Sequence, residues 1–244
     1  MPDPIFADVR LARLYDPLEA DRPDLDRYLD IVEEFRAPSV LDIGCGTGTF
    51  ACLLASRGID VIGVDPAEAS LNIARVKPGG ERVRWIHGDA TSLPPLAADL
   101  ATMTGNVAQV FLRDDEFGAA LRGIRGALRP GGALIFEVRD PNREAWRHWT
   151  RDGSEQRTHV EEVGMVTSWV DLLDASLPFV SFRWTFCFEE SGEVITSDST
   201  LRFRSRSEIE RSVSESGLTV IDVRDAPDRP GLEFVFVCTT AHDH

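Results

Sequence analysis

The sequence predicts an α/β fold in which helices pack against a mostly parallel β-sheet. In residues 40–50 a short apolar run leads directly into Gly44, Gly46 and Gly48. An apolar stretch with helical spacing follows and stops at Gly58. A strand, a glycine-rich turn and a helix in this order are typical of the nucleotide-binding start of such a sheet. Glycines let backbone N–H groups approach a ligand closely, because no Cβ stands in the way.

Further apolar runs predict the rest of the sheet. The runs at 59–64, 81–86, 98–104 and 133–138 indicate the second to fifth strands. Residues 114–116 are expected to open a helix that precedes the fifth strand. Its apolar face consists of Phe117, Leu121, Ile124 and Leu128. The alternation of strands and helices predicts a doubly wound parallel sheet.

The residues before the first strand, 1–37, predict an N-terminal helical cap. We expect residues 1–20 to be partly irregular. Asp21 and Pro23 indicate a helix start, and Pro38 ends that helix. Its apolar face consists of Leu25, Tyr28, Leu29, Val32 and Phe35.

The residues after the fifth strand have a different sequence pattern. Residues 163–174, 179–190 and 194–204 each predict a strand, and residues 191–192 predict a hairpin turn between the last two. Between 180 and 188 apolar residues occupy the even positions and polar residues most of the odd ones. Three adjacent strands predict an inserted antiparallel sheet. Its aromatic face must cover the core, a substrate or a second subunit, and packing onto the main domain is the simplest expectation.

The end of the chain predicts one helix and two strands. Residues 207–210 form a predicted capping box for a helix that ends at Gly217. Apolar runs at 218–223 and 232–238 indicate the last two strands. The tail, 239–244, is expected to be frayed, and its two histidines are expected to have no function.

Composition limits the class of protein. A length of 244 residues with 43% hydrophobic content is sufficient for one domain with an insertion. The net charge of -15 repels phosphate backbones and anionic lipids, so nucleic acid and membranes are not expected partners. No apolar run approaches the length of a membrane span.

The cysteines and the N-terminus indicate a compartment. The four cysteines, Cys45, Cys52, Cys187 and Cys238, have neither paired nor metal-ligand spacing. We therefore expect free thiols and no metal site. The first residues lack the basic and apolar regions of a signal peptide. A cytoplasmic protein is expected.

The spacing of the glycine turn separates two kinds of nucleotide site. A dinucleotide fingerprint has its third glycine where this sequence has Thr49. The sequence has instead Asp-x-Gly-x-Gly-x-Gly, starting at Asp42. This pattern resembles motif I of the class I S-adenosylmethionine (SAM)-dependent methyltransferases. Leu-Arg-Pro-Gly-Gly at 128–132 also resembles that family, and the resemblance extends over residues 38–140.

The resemblance implies a Rossmann-like fold with seven strands, mostly parallel, of which the last is antiparallel. Residues 38–140 and 205–240 would form the SAM-binding core. Residues 141–204 would form an inserted lid that carries the antiparallel sheet. A homodimer through this inserted sheet is a further expectation.

The resemblance also implies the cofactor-binding residues. Asp65 follows the glycine turn by about 20 residues, where a carboxylate can accept hydrogen bonds from both ribose hydroxyls; it could also cap a helix. The segment 88–90 resembles the one that holds adenine, and Asp42 is expected to shape the turn. The cofactor-binding residues expected are Tyr15, Asp42, Gly44, Cys45, Gly46, Gly48, Asp65, Pro66, Gly88, Asp89, Ala90, Thr104, Gly105 and Asn106.

The reaction implied is methyl transfer from SAM to a small-molecule acceptor by direct displacement, which leaves S-adenosylhomocysteine (SAH). The enzyme then supplies mainly alignment and desolvation. The acidic composition either suits the cationic SAM or only keeps the protein in solution. Two alternatives are an NAD-dependent oxidoreductase, which Thr49 and the segment 88–90 disfavour, and a SAM-binding protein without transferase activity.

Candidates for substrate contacts each have a second interpretation. His148 is either a base for a hydroxyl acceptor or a solvated side chain. Asn106 either orients the substrate or is a turn residue. Trp146 and Trp149 form a pocket wall or anchor a helix, and Arg139 either binds an acidic substrate or is a surface charge.

Overall fold

The computed structural model describes residues 2–19 and 22–241. Within them the strands are β1 (Ser39–Ile43), β2 (Asp60–Asp65), β3 (Val83–His87), β4 (Ala98–Met103), β5 (Leu128–Arg139), β6 (Gln156–Val160), β7 (Gly164–Asp174), β8 (Phe179–Phe188), β9 (Glu193–Arg202), β10 (Thr219–Asp225) and β11 (Glu233–Thr239). The helices are α1 (Pro4–Ala7), α2 (Val9–Leu18), α3 (Pro23–Glu34), α4 (Thr49–Ser56), α5 (Glu68–Val76), α6 (Asp114–Ala127), α7 (Arg151–Ser154) and α8 (Arg206–Glu215). The predicted helix-start residue Asp21 and the tail histidines His242 and His244 lie outside the described residues.

The larger sheet has seven strands in the order β10-β11-β5-β4-β1-β2-β3. The last strand, β11, is antiparallel to both its neighbours, and the other pairs are parallel. This arrangement confirms the predicted fold class. Helices α3 and α4 pack on one face of the sheet, and α6 and α8 pack on the other. The strand order reverses at β1, whose neighbours are β4 and β2, and ligands bind at such a point outside the carboxyl ends of the strands.

The second sheet has four antiparallel strands in the order β6-β7-β8-β9. A separate antiparallel sheet is confirmed, but the predicted number of three strands is wrong. Strand β6 escapes prediction because Val160 is its only fully buried residue. Phe186 on the even-numbered face of β8 shares a buried cluster with Leu11 and Leu14 of α2, whereas Val180 on the same face packs with Trp146. The predicted homodimer through this sheet stays a prediction.

The N-terminal residues, which we expected to be partly irregular, are mostly helical between residues 2 and 19, where α1 and α2 cover Pro4–Ala7 and Val9–Leu18. Helix α2 begins after Asp8, whose carboxylate accepts a hydrogen bond from the Arg10 backbone N–H at 2.8 Å. Leu11 and Leu14 are fully buried on one side of the helix. The surface that buries them belongs to β6–β9, more than a hundred residues away along the chain, so local pattern did not reveal it.

Two boundaries also differ from the predictions. The capping box of α8 lies at Ser205 and not at Ser207. The Glu208 carboxylate accepts from the Ser205 backbone N–H at 2.8 Å, and the Ser205 hydroxyl accepts from the Glu208 N–H at 3.4 Å. Strand β5 begins at Leu128, five residues before the predicted start, because Leu128 pairs with Ala98 ahead of a register shift. The division into residues 1–37, 141–204 and a two-part core stays a prediction.

None of the helices in the described ranges is long and apolar enough to cross a membrane.

Candidate functional site

The glycine turn connects β1 to α4 and is fixed to the neighbouring strand. The N–H groups of Gly44 and Cys45 donate to the Val64 carbonyl at 2.8 and 3.2 Å. Gly44, Gly46 and Gly48 have φ values of +68°, +54° and +77°, which side chains rarely tolerate. The backbone conformation therefore favours glycine at all three positions.

The three glycines differ in what surrounds them. A Cβ on Gly44 would lie 2.6 Å from the Val107 side chain, and one on Gly48 would lie 2.4 Å from the ring of Trp85. A Cβ on Gly46 would meet no atom within 4 Å. Gly105, with φ +70°, is equally open. Packing thus requires two of the glycines, whereas Gly46 and Gly105 leave space for a ligand against the backbone.

Asp65 holds the turn from the carboxyl end of β2. It is only 7% exposed, and its Oδ2 accepts from the Gly46 N–H at 2.8 Å while Oδ1 accepts from the Ala67 N–H at 2.7 Å. Burial raises the pKa of Asp65, and the two backbone N–H groups oppose that rise. Each carboxylate oxygen can accept a second hydrogen bond, so the ribose interpretation and the helix-cap interpretation are compatible.

Asp42 lies fully buried in β1, beneath the turn. Its Oδ1 accepts from the Thr102 hydroxyl at 2.9 Å, and Oδ2 has no hydrogen-bond partner in the described part of the chain. Burial raises the pKa of Asp42 to about 7. An enclosed acceptor without a donor calls for a proton, a water or a cationic ligand group. Burial also raises the pKa of the Cys45 thiol well above its usual range, so that thiol is no nucleophile.

The predicted adenine segment adjoins Asp65. The Gly88 N–H donates to the Asp65 carbonyl at 3.1 Å, and Ala90 is buried. Asp89 is exposed, and its Oδ1 accepts from the Thr91 backbone N–H at 2.8 Å. The carbonyl of Pro66 contacts the Nε2 atom of His87 at 3.1 Å. Residues 66 and 88–90 therefore lie together at the carboxyl ends of β2 and β3, beside Asp65.

Helix α2 is tied to the glycine turn through Asp16, which the sequence did not single out. The Asp16 carboxylate accepts from the Thr47 hydroxyl at 2.6 Å and from the Thr49 hydroxyl at 3.2 Å. Lys77 forms an ion pair with Asp16 at 2.7 Å and donates to the Thr49 hydroxyl at 2.7 Å. The neighbouring Tyr15, which the resemblance suggested, lines a cavity together with Gly105 and Asn106.

That cavity has a volume of about 180 Å³ and lies among α1, α2, the second sheet and the residues after β4. Its aromatic lining consists of Phe6, Tyr15, Phe182, Trp184 and Phe186. Gly105, Asn106 and Arg139 line it from the main sheet. Part of the aromatic face of β8 therefore borders a cavity, and Phe186 also packs in a buried cluster with the N-terminal helices. That this face covers a substrate or a second subunit stays a prediction.

A buried polar cluster lies behind Asn106. The Asn106 backbone N–H donates to Glu137 Oε1 at 3.0 Å, and its Nδ2 lies 3.4 Å from Glu233 Oε2. Glu233 Oε1 accepts from Arg229 at 2.7 Å and lies 3.6 Å from Arg139 Nε. Neither glutamate was predicted as a site residue, because both lie inside predicted apolar strands or at their ends. A charged residue within or at the edge of an apolar run was the available signal.

The remaining predicted site residues lie at different distances from the cavity. Trp149 packs on Phe182, which lines the cavity, with 4.8 Å between ring centroids. Trp146 is buried against Phe203, and Thr104 is half-buried at the end of β4. His148 is exposed and does not line the cavity, so its catalytic role stays a prediction without geometric support. No group of three or more His, Cys, Asp or Glu residues within 2–19 and 22–241 is arranged to hold a metal ion.

Comparisons with known proteins define the class. Residues 40–132 match a family model described as a methyltransferase domain. The cypemycin N-terminal methyltransferase of a Streptomyces species is 36% identical over 104 residues, which is 42% of either chain. The chain spans about half the length of the first curated relatives it matches, at 42%, 51% and 46%.

Two solved structures share the fold. A SAM-dependent methyltransferase from Clostridium acetobutylicum superposes with a TM-score of 0.77 at 17% identity and covers 95% of this chain and 98% of its own. CalS10, an amino pentose methyltransferase from Micromonospora echinaspora, gives 0.74 at 22% identity, with 93% and 97% covered. Residues 40–132 thus match a methyltransferase domain, and the chain shares its fold with solved SAM-dependent methyltransferases. The structure of CalS10 is described as SAM-bound, and that of a Burkholderia thailandensis N-methyltransferase with the same fold as bound to SAH.

Proposed function

We propose that this protein transfers a methyl group from SAM to a small-molecule acceptor held in the cavity that Gly105 and Asn106 line. The observation that carries the proposal is Gly46, where a Cβ would meet no atom within 4 Å and whose N–H donates to the buried Asp65 carboxylate. Asp42, two residues before the turn, adds a buried carboxylate oxygen without a hydrogen-bond partner in the described part of the chain. These groups match a ligand that has a ribose at one end and an ammonium group at the other.

The residues present offer the hydrogen-bond acceptors and the open backbone that SAM requires. Asp65 would accept from the ribose hydroxyls, Asp89 and the backbone of Ala90 would hold adenine, and the glycine turn would lie along the amino-acid part. Asp42 would face the ammonium group, directly or through water. When bound, SAM supplies a methyl group already activated for displacement by the sulfonium.

The cavity limits the size and character of the acceptor. Its volume of about 180 Å³ is close to that of engineered cavities of roughly 150 Å³ that bind benzene. The aromatic lining favours a ring-sized, partly apolar group. CalS10, which shares the fold, is an amino pentose methyltransferase, and a sugar ring has comparable size. Asn106 and Arg139 would orient polar groups of that ring.

The two alternatives find less support. In an oxidoreductase the third glycine of the fingerprint would allow close packing of the helix. Here that position carries Thr49, whose hydroxyl contacts Asp16 and Lys77. A SAM-binding protein without transferase activity would not need the cavity that opens at Gly105 and Asn106.

Calorimetric titration with SAM, SAH and NAD tests the proposal. We expect SAM and SAH to bind at micromolar concentrations and NAD not to bind. Asp65→Ala should weaken SAM binding tenfold or more, because it removes a charged acceptor worth about 1.5–3 kcal/mol. The matched control is Asp60→Ala at the exposed, opposite end of β2. Equal SAM affinity in both variants, or binding of NAD instead of SAM, would contradict the proposal.

A further inference from the structure

The cavity among α1, α2 and the second sheet is lined by a buried hydrogen-bond acceptor that lacks a donor. Asn106 is 2% exposed, and its Oδ1 has no hydrogen-bond partner in the described part of the chain. Its Nδ2 lies 3.4 Å from Glu233 Oε2, so the amide nitrogen faces that carboxylate and the oxygen faces away from it. A buried acceptor calls for a donor, and a molecule bound in the cavity that Asn106 lines can supply one.

Two carboxylates, those of Asp3 and Glu19, line the same cavity. Glu19 is exposed and Asp3 is half-buried, so both lie toward solvent, whereas Asn106 lies at the buried end. The Asp3 side chain makes no capping hydrogen bond to α1. Arg22, whose charge reaches Glu19, is already paired with Asp24 at 2.7 Å. The negative charge of both carboxylates is therefore available to a ligand.

The positive charge that lines the cavity, on Arg139, already has partners of its own. Arg139 Nε lies 3.6 Å from Glu233 Oε1, and its Nη1 donates to Gln109 Oε1 at 3.1 Å. Arg229 shares Glu233 at 2.7 Å and has Asp228 as a second partner at 3.4 Å. The two carboxylates toward solvent thus remain in excess over the positive charge of the lining.

Aromatic rings form the wall between these acceptors. The ring centroids of Phe6 and Tyr15 are 5.7 Å apart, and those of Trp184 and Phe186 are 6.0 Å apart. All four side chains line the cavity. The face of an aromatic ring attracts a cation, and tryptophan does so most strongly. Aromatic faces and free carboxylates together favour an organic cation and disfavour an anion such as a carboxylate or a phosphate ester.

We infer that the acceptor molecule is an amine that enters this cavity as a cation. This inference rests on the proposed function. Asp3 and Glu19 favour its positive charge, and Asn106 Oδ1 accepts a hydrogen bond from its N–H at the buried end of the cavity. An ammonium group brings several N–H donors and a charge, whereas a hydroxyl group brings one donor and no charge.

The amine reacts in its neutral form. The ammonium group first gives one proton to water, which frees the nitrogen lone pair. The lone pair then forms a bond to the methyl carbon while the carbon–sulfur bond breaks and its electron pair stays on sulfur. The methylated nitrogen carries the positive charge, and the sulfur becomes neutral. An N–H held by Asn106 fixes the direction of the lone pair, which is the alignment that this reaction needs.

Calorimetric titration of the SAH-loaded protein tests the inference, because SAH then occupies the site for the cofactor's own ammonium group. The probes are cyclohexylamine, cyclohexanol and cyclohexanecarboxylate, which share a ring and differ in charge. We expect the amine to bind at least about tenfold more tightly than the alcohol, as a charge pair near a protein surface provides, and the carboxylate to bind most weakly. Equal affinities for the amine and the alcohol, or no binding of the amine, overturn the inference.

Two substitutions that keep the size of the side chain make this readout specific. Asp3→Asn combined with Glu19→Gln should abolish the preference for the amine and leave the affinity for cyclohexanol unchanged. Glu161→Gln, at an exposed position between β6 and β7, is the matched control and should keep the preference. A preference that persists in the double variant overturns the inference. If the double variant does not fold, the comparison of the three probes on the unaltered protein decides.

Methyl transfer distinguishes this inference from the proposed function. With radiolabelled SAM, transfer to cyclohexylamine and not to cyclohexanol is the expected result. Transfer to cyclohexanol alone overturns the inference and supports the proposed function. Failure of both SAM and SAH to bind contradicts the proposed function instead.

Discussion

Gly46→Ala separates the backbone role of glycine from its role in binding. Gly46 has φ +54°, and a Cβ there would meet no protein atom within 4 Å. Its cost to folding is therefore the left-handed conformation alone, about 1–2 kcal/mol. In the complex the new methyl group would occupy the space of the ligand. If this displacement costs SAM two hydrogen bonds to the protein, of about 1 kcal/mol each, the affinity for SAM becomes roughly 30-fold weaker.

Gly58→Ala is the matched control for this substitution. Gly58 has φ +84°, its Cβ would also meet nothing within 4 Å, and it lies after α4, away from the site. Urea denaturation should show a similar loss of stability in both variants, and calorimetry should show weaker SAM binding only in Gly46→Ala. Wild-type affinity in Gly46→Ala, or an equal loss in Gly58→Ala, would refute the placement of the ligand against the turn.

Two further predictions follow from the buried and paired charges. The substitution Asp16→Asn removes the ion pair with Lys77, so we expect the free energy of unfolding to fall by about 1–2 kcal/mol. We also expect SAM to dissociate faster in stopped-flow measurements. An unchanged dissociation rate would exclude a role of Asp16 in retaining the ligand. The second prediction concerns Glu137, whose pKa rises from 4.5 to about 7 on folding. Its contribution to stability is complete below pH 4.5 and falls by about 3 kcal/mol as the pH rises through 7. Urea denaturation should therefore show that the stability of Glu137→Gln relative to the unaltered protein rises between pH 5 and pH 8; a constant difference would contradict the raised pKa.

The main sheet was predictable because its signal is local and periodic. Strands β1 to β5 each appear as an apolar run, and the glycine turn combines three positive φ values that glycine adopts without strain. The position of Asp65 next to the glycine turn was predictable because parallel strands place their carboxyl ends at one edge of a sheet. The hydrogen bond from Gly46 to Asp65 at 2.8 Å agrees with that expectation.

Helices α1 and α2 and strand β6 were not predictable in the same way. Helix α2 owes its position to apolar contacts with the second sheet and to the Asp16 carboxylate, which reaches a hydroxyl 31 residues away. Strand β6 has one buried residue, so it shows no apolar pattern in the sequence. Its backbone pairing with β7 holds it in the sheet.

The sequence by itself determined the α/β class, the glycine turn and the strand-end carboxylates, because backbone conformation and apolar periodicity are properties of neighbouring residues. Only the tertiary structure decided which polar groups meet. Asn106 contacts Glu137 across 31 residues and Glu233 across 127, and no local pattern specifies such pairs. A buried carboxyl acquires its chemistry from the charges and the desolvation around it, and those exist only once the strands have assembled.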